Sequence, residues 1–257
     1  MTPAARISAA IEVLGELAAR RRPAADALKD WGLAHRFAGS GDRAAIAGLV
    51  YDTLRRRASA AHVMGSEEPR ALVLGMLALM RGLSVDALAG LADGSRFAPA
   101  SLTADERARL SAPDLEAAPP FVRGDYPQWL HASLRHVFGE EVVAEGAALA
   151  TRAPLDLRVN TLKAEPDAAR AALAHMRPEA GRFSPLALRI HLDSEGKAPP
   201  VSAEPAFLRG EVEVQDEGSQ IAAILARPLP GTQVLDLCAG AGGKTLEFAA
   251  LMDNKGQ

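Results

Sequence analysis

The sequence predicts a multidomain chain in three parts: an all-α front, a small α+β module, and the start of an α/β unit. Three observations carry this expectation. Apolar residues recur at helical spacing through residues 1–150. Near Pro154 the pattern changes to alternation, the period of a strand. Near Val234 a short apolar run leads straight into a glycine-rich turn and then a helix-forming segment.

In the front part, Ile7, Ile11, Leu14 and Leu17 share one helix face. Asp42 is placed as an N-cap, ahead of an apolar face made by Ile46, Leu49, Val50 and Leu54. Ser66-Glu67-Glu68-Pro69 opens the next helix, and Thr103-Ala104-Asp105-Glu106 has the spacing of a capping box. The Pro- and Ala-rich stretch 112–120 reads as a loop. Pro127 suits the first turn of a helix through Trp129, Leu130, Leu134 and Phe138. In the middle part, Leu155 to Asn160 alternates as a half-buried strand does, a short helix follows over 166–176, and Leu186–Ile190 is a second strand. In the last part, Gln220–Ala226 suits a helix and Pro228–Gly231 a turn. Val234–Leu237 suits a short buried strand, and Thr245–Leu251 a further helix.

Composition narrows the function classes. Of 257 residues, 48% are hydrophobic, enough for a sizeable core. The single cysteine, Cys238, excludes an intramolecular disulfide and argues against a Cys-based zinc site. The six histidines lack metal-ligand spacing, so no metal is expected. The N-terminus has no apolar segment with a cleavage site, and the longest apolar run, Ala71–Met80, is too short to span a bilayer. A soluble, cytoplasmic, monomeric protein without a membrane partner is the expectation. Net charge is −3, unevenly spread: residues 1–60 hold 10 Lys/Arg against 6 Asp/Glu, and residues 61–150 hold 7 against 12. Only the front is basic enough to suggest phosphate contacts, at Arg20-Arg21-Arg22 or Arg55-Arg56-Arg57; solvated helix ends account for both clusters equally well. Trp31 and Trp129 fall on apolar helix faces and are expected to pack in cores.

The glycine-rich turn Cys238-Ala239-Gly240-Ala241-Gly242-Gly243-Lys244 is the segment with chemistry. Glycines let the backbone turn sharply and approach a ligand, and the following helix offers free N–H groups to an anion. A P-loop requires glycine where Cys238 stands, and a dinucleotide fingerprint requires glycine where Thr245 stands. Both readings fail at a required position. A turn without any ligand is the plain alternative, made less attractive by the strand that feeds it.

The run Val214-Gln215-Asp216-Glu217-Gly218-Ser219-Gln220, followed by Val234 to Thr245, resembles the RsmB/Nop/Sun family of RNA (cytosine-5) methyltransferases. The family's loop reads Cys-Ala-x-Pro-Gly-Gly-Lys-Thr, and here Ala241 stands in the place of the proline. Leu157-Arg158-Val159-Asn160-Thr161-Leu162-Lys163 resembles the family's Arg-Val-Asn-x-Leu-Lys signature. Asp42-Arg43 with Leu49 to Arg55 resembles the NusB-like helical domain of bacterial members. The resemblance implies a NusB-like RNA-binding domain over 1–150, an α+β pre-catalytic module over 151–212, and the start of a Rossmann-like class I methyltransferase domain over 213–257.

It further implies that Cys238, Ala239, Gly240, Ala241, Gly242, Gly243 and Lys244 bind S-adenosyl-L-methionine, with Asp236 orienting the loop or touching the cofactor. Arg158, Asn160 and Lys163 are implied to contact RNA, with ribosomal RNA the implied class, or the catalytic domain; ordinary charge at a solvated strand edge is the competing account. The implied chemistry is addition of a cysteine thiolate to carbon 6 of cytosine, methylation at carbon 5, and elimination after loss of the carbon-5 proton. In the family that cysteine and the ribose-binding acid lie in later motifs. The chain is therefore expected to be a fragment, inactive alone, with its nucleophile beyond residue 257. A non-catalytic NusB-like RNA-binding or assembly module is the alternative. A small-molecule methyltransferase shares the loop but leaves the front part unexplained.

Overall fold

The computed structural model describes residues 1–192 and 199–257. They form two compact units, Met1–Arg152 and Ala153–Gln257.

The first unit is helical. Helices α1 (Pro3–Arg20), α2 (Ala24–Ala34), α3 (Ser40–Arg55), α4 (Arg57–Met64), α5 (Pro69–Leu79), α6 (Val85–Leu91) and α7 (Ala104–Ser111) are followed by α8 (Pro120–Arg123), α9 (His131–Phe138) and α10 (Val142–Leu149). α5 is its axis. Every residue from Ala71 to Leu77 is buried, as expected of a helix that is apolar all round. α4 packs directly against it at Gly75, where a β-carbon would lie 3.0 Å from the Ala60 backbone. α1 and α3 supply Ile7, Val13, Leu14, Ile46, Leu49 and Val50 to the same core. Thr103 and Glu106 form the capping box that their spacing predicts. Pro69 opens α5 at its first position.

Three local expectations for this unit are corrected. Asp42 is not the N-cap of α3. Gly39 is, and Asp42 sits in the first turn, where its carboxylate accepts from the Met1 ammonium and from Arg6 Nε at 2.9 Å. Those two cations draw it away from the capping geometry. Pro127 precedes a short 3-10 turn, Gln128–Leu130, and the α-helix starts only at His131. Trp129 lies on that turn, not in a core, and is exposed.

The second unit contains an antiparallel sheet of four strands in the order β2-β3-β1-β4. These are β1 (Leu155–Val159), β2 (Glu179–Ala180), β3 (Ala187–Ile190) and β4 (Val212–Val214). α11 (Pro166–Ala172) and α12 (Pro205–Leu208) precede β4, and α13 (Glu217–Ala226) and α14 (Gly243–Leu251) follow it. Leu157 and Val159 of β1, Leu188 and Ile190 of β3, and Val212 of β4 form an apolar cluster with Ala169, Leu173 and Ala206. Odd and even residues of β1 point to opposite faces. The even ones, Asp156 and Arg158, were expected to meet water. They are buried instead, because β1 is a central strand and its polar face is covered as well.

The run Val234–Leu237 is neither a strand nor buried. Leu235 and Leu237 are each 85% exposed, and no strand lies beside them among the described residues. Its backbone bonds go to the chain end: Val234 N–H donates to the Gln257 carbonyl at 2.8 Å and Gln257 N–H to Thr232. A ladder needs neighbours to take its N–H and C=O groups, and the apolar sequence alone does not supply them. Among the described residues, no helix is long and apolar enough to cross a membrane.

Candidate functional site

The turn Cys238–Lys244 bends at two glycines. Gly240 has φ +56° and Gly242 φ +86°, a region that a side chain resists. Gly242 N–H closes the turn onto the Ala239 carbonyl at 2.8 Å, and Gly242 then caps α14. The first N–H to find a backbone acceptor is that of Leu246, on Gly242. The N–H groups of Gly243, Lys244 and Thr245 therefore have no acceptor among the described residues and are available to an anion. A β-carbon on Gly242 would meet nothing within 4 Å, so the space before the turn is open. Thr245 Oγ1 donates to Asp236 Oδ2 at 2.9 Å, tying the helix to the segment that enters the turn. A cavity of about 240 Å³ shares Asp236 and Thr245 with this arrangement, but none of the turn's own glycines line it. Cys238 is exposed.

Behind the turn, α14 is anchored to the polar face of the sheet. Arg158 on β1 is fully buried. Its Nε donates to Gln215 Oε1 at 2.6 Å and its Nη2 to Glu213, the residue directly opposite on β4. Gln215 Nε2 in turn donates to Glu247 Oε2 at 2.7 Å, in the middle of α14. Arg158 Nε lies 3.9 Å from the same oxygen. Burial pushes the Glu247 carboxyl up to about 7, against the opposing pull of Gln215 and Arg158. Within this knot Arg158 Nη1 and Glu247 Oε1 are buried without a partner.

A second knot lies beside it. Asp156 accepts both Nε and Nη2 of Arg189, its cross-strand neighbour on β3, at 2.8 Å each. Burial acts to raise the Asp156 carboxyl, and Arg189 outweighs it and holds the group below the usual range. Glu217 accepts the N–H groups of Phe183 and Ser184 at 2.7 and 2.9 Å. Burial again acts upward, and those backbone bonds hold its carboxyl low. Asp216 caps α13, accepting from Gly218 and Ser219. Gln220 receives the Ser184 hydroxyl and donates to the Gln215 carbonyl. Gln215 thus ties β1 to α14, Gln220 ties α13 to β1, and Glu217 ties α13 to β3 and to the loop before it.

The expected RNA contacts separate on this geometry. Arg158 has no exposed surface, so its guanidinium holds carboxylates inside the unit and does not present itself to a phosphate. Asn160 Nδ2 donates to the Gly210 carbonyl and its Oδ1 accepts from Leu162 N–H, closing a turn. Lys163 is exposed and donates to the Arg209 carbonyl at 2.8 Å, which leaves ammonium protons for another acceptor. The arginine clusters are largely committed. Arg20 pairs with Glu16, Arg22 with Asp30, Arg56 with Asp125 and Arg57 with Glu67. Glu247 and Gln215 were not singled out from sequence as site residues. The available signal was a carboxylate, Glu247, inside the apolar face of α14.

Residues 126–195 match a family model described as the RsmF/B-like methyltransferase ferredoxin-like domain. The match begins at Tyr126, inside the first unit, and reaches past β3. The chain belongs to the RsmB/Nop/Sun family. Ribosomal RNA small subunit methyltransferase B of Pseudomonas putida is 38% identical over 128 residues, 49% of this chain and 28% of that protein. The protein of the same name from Xylella fastidiosa is 30% identical over 227 residues, 79% of this chain and 51% of its own length. The Caenorhabditis elegans 26S rRNA (cytosine-C(5))-methyltransferase nsun-1 is 44% identical over 57 residues, 22% of this chain and 9% of that protein. This family member thus spans between a tenth and a half of the curated relatives named here. Among solved structures, the crystal structure of PH0851 has a TM-score of 0.61 and 24% identity, covering 100% of this chain and 63% of that one. That likeness shows the fold.

Proposed function

We propose that this chain supplies the RNA-recognition and cofactor-loop part of an S-adenosylmethionine-dependent RNA (cytosine-5) methyltransferase that acts on ribosomal RNA. The observation that carries the reading is the turn 238–244, where two left-handed glycines present three free N–H groups at the start of α14. S-adenosylmethionine, when bound, supplies the methyl group. The N–H groups of Gly243, Lys244 and Thr245 hold its carboxylate, with Lys244 adding positive charge. Cys238, Ala239, Gly240, Ala241 and Gly242 shape the open space in front. Asp236, held by Thr245, orients the entry to the turn. The names of the relatives support ribosomal RNA as the substrate class and carbon 5 of cytosine as the target. Residues 1–150 act as the NusB-like RNA-binding domain, 151–212 as the pre-catalytic module, and 213–257 as the start of the Rossmann-like domain, in the cytoplasm. Lys163 is the residue of its signature free to reach a phosphate.

Gly242→Val or Gly243→Val is expected to abolish S-adenosylmethionine binding, because a branched side chain forces the turn out of its conformation or covers the N–H groups. Isothermal calorimetry on the full-length enzyme reads this, and unchanged affinity in both variants removes the turn from the site. On the same reading Cys238 is a loop residue and not the nucleophile. The 257-residue chain is expected to transfer no label from S-adenosylmethionine to unmodified ribosomal RNA. Label that it incorporates, and that Cys238→Ala loses, would overturn the assignment. A non-catalytic NusB-like RNA-binding or assembly module is the second reading.

A further inference from the structure

The first unit carries an aromatic recess remote in sequence from the glycine turn. Its volume is about 790 Å³, and Trp31, His35, Phe37, Phe97, Glu12 and Arg96 are among its lining residues. The rings are ordered relative to one another. Trp31 and His35 stack with centroids 4.3 Å apart and planes 16° apart, and His35 meets Phe37 edge-on at 5.7 Å. His35 is fixed by a 2.9 Å bond between its Nδ1 and the Trp31 carbonyl. Phe37 and Phe97 are 73% and 67% exposed, an arrangement that gains little from burial.

Phe97 is the informative residue. Its φ is +73°, a conformation that glycine adopts freely and a phenylalanine resists. The loop holds it there. Ser8 Oγ on α1 donates to the Phe97 carbonyl at 2.9 Å, Ala98 N–H closes a turn onto Ser95, and Gly94 N–H donates to Pro99. The fold therefore carries backbone strain to present a ring that does not pack in its core. Arg96 places its guanidinium 4.8 Å from the centre of that ring. Glu12, which also lines the recess, accepts the Trp31 indole N–H on Oε2 at 3.0 Å, while its Oε1 has no partner among the described residues.

We infer that this recess binds one unpaired RNA base that carries an amino group. Exposed aromatic faces stack on a base irrespective of sequence, Arg96 lies at hand for the adjoining phosphate, and the free Glu12 oxygen accepts an amino hydrogen. Uracil has no amino group and leaves that carboxylate unmatched. The inference rests on the reading of RNA as substrate, and it assigns the front unit a way to hold a splayed-out nucleotide.

Fluorescence anisotropy with labelled six-nucleotide oligocytidylate and oligouridylate, on the 257-residue chain, tests this. Oligocytidylate is expected to bind more tightly than oligouridylate. Phe37→Ala and Phe97→Ala are each expected to weaken oligocytidylate binding by about tenfold, the size of one lost base–aromatic stack. Glu12→Gln is expected to erase the preference between the two. Phe97→Gly separates recognition from packing: it removes the ring and the strain together, so binding falls while Tm is unchanged or higher. Wild-type affinity in both alanine variants overturns the recess as a base site, and so does a Tm lowered by Phe97→Gly. Displacement of a bound apolar peptide, with no oligonucleotide binding, overturns it in favour of a protein partner. The methyltransferase reading stands or falls separately on methyl transfer by the full-length enzyme.

Discussion

The two units each bury a charge, and they do so in opposite ways. In the first, one carboxylate, Asp52, collects three arginines: Arg55 at 3.5 Å, Arg81 at 3.0 Å and Arg152 at 2.8 Å. In the second, one arginine, Arg158, collects Glu213, Gln215 and the more distant Glu247. The Asp52 arginines keep 18–33% of their side chains in water, so solvent takes up most of the surplus positive charge, although Arg55 Nη1 is itself buried without a hydrogen-bond partner. Arg158 and Glu247 are both dry, and one of them must give way. Glu247 does so by keeping its proton toward neutral pH. A buried ion is cheap to hold where its partners reach water, and becomes a source of pH dependence where they do not.

The largest effect that separates the two is expected from Arg158→Met. It leaves Glu213 and Gln215 without their donor inside the sheet, and removing one member of a buried pair typically costs about 3–5 kcal/mol. Hydrogen exchange at the β1 and β4 amides reads it, and protection equal to wild type would show that the arginine adds nothing to the sheet. Asp52→Asn is expected to cost less, about 2 kcal/mol, because its guanidiniums are partly solvated. Both tryptophans and both tyrosines lie in the first unit, so urea unfolding followed by fluorescence reports on it. A loss as large as that of Arg158→Met would collapse the distinction between the hubs.

Glu247 sharpens the comparison through pH. Its folded pKa of about 7 lies above the ordinary 4.5, so the folded state binds the proton more tightly. Its contribution to stability is full below pH 4.5 and is lost as pH rises through 7. Glu247→Gln mimics the protonated form. It is expected to match the wild type near pH 5 and to exceed it at pH 8 by on the order of 1–3 kcal/mol. Tm of the two proteins measured across that range decides it, and parallel profiles would place the proton elsewhere. Because Glu247 sits on α14, the same titration is expected to loosen the helix that carries the glycine turn.

Local features were legible from the sequence alone where their cause is local. The capping box at Thr103 follows from two side chains reaching backbone a turn away. α5 follows from its unbroken apolar run, β1 and β3 from alternation, and the left-handed bends at Gly240 and Gly242 from the one residue type that adopts them freely. The turn was therefore visible as a candidate site, and family resemblance supplied its expected ligand. What covers each element was decided only by tertiary structure. Alternation in β1 correctly separates Asp156 and Arg158 from Leu157, but not whether their face is wet; α13 and α14, far downstream in the sequence, bring the partners that keep it dry. The apolar run Val234–Leu237 has the composition of a buried strand and, without a ladder neighbour among the described residues, lies open. Burial is a property of two surfaces, and a sequence pattern specifies only one of them.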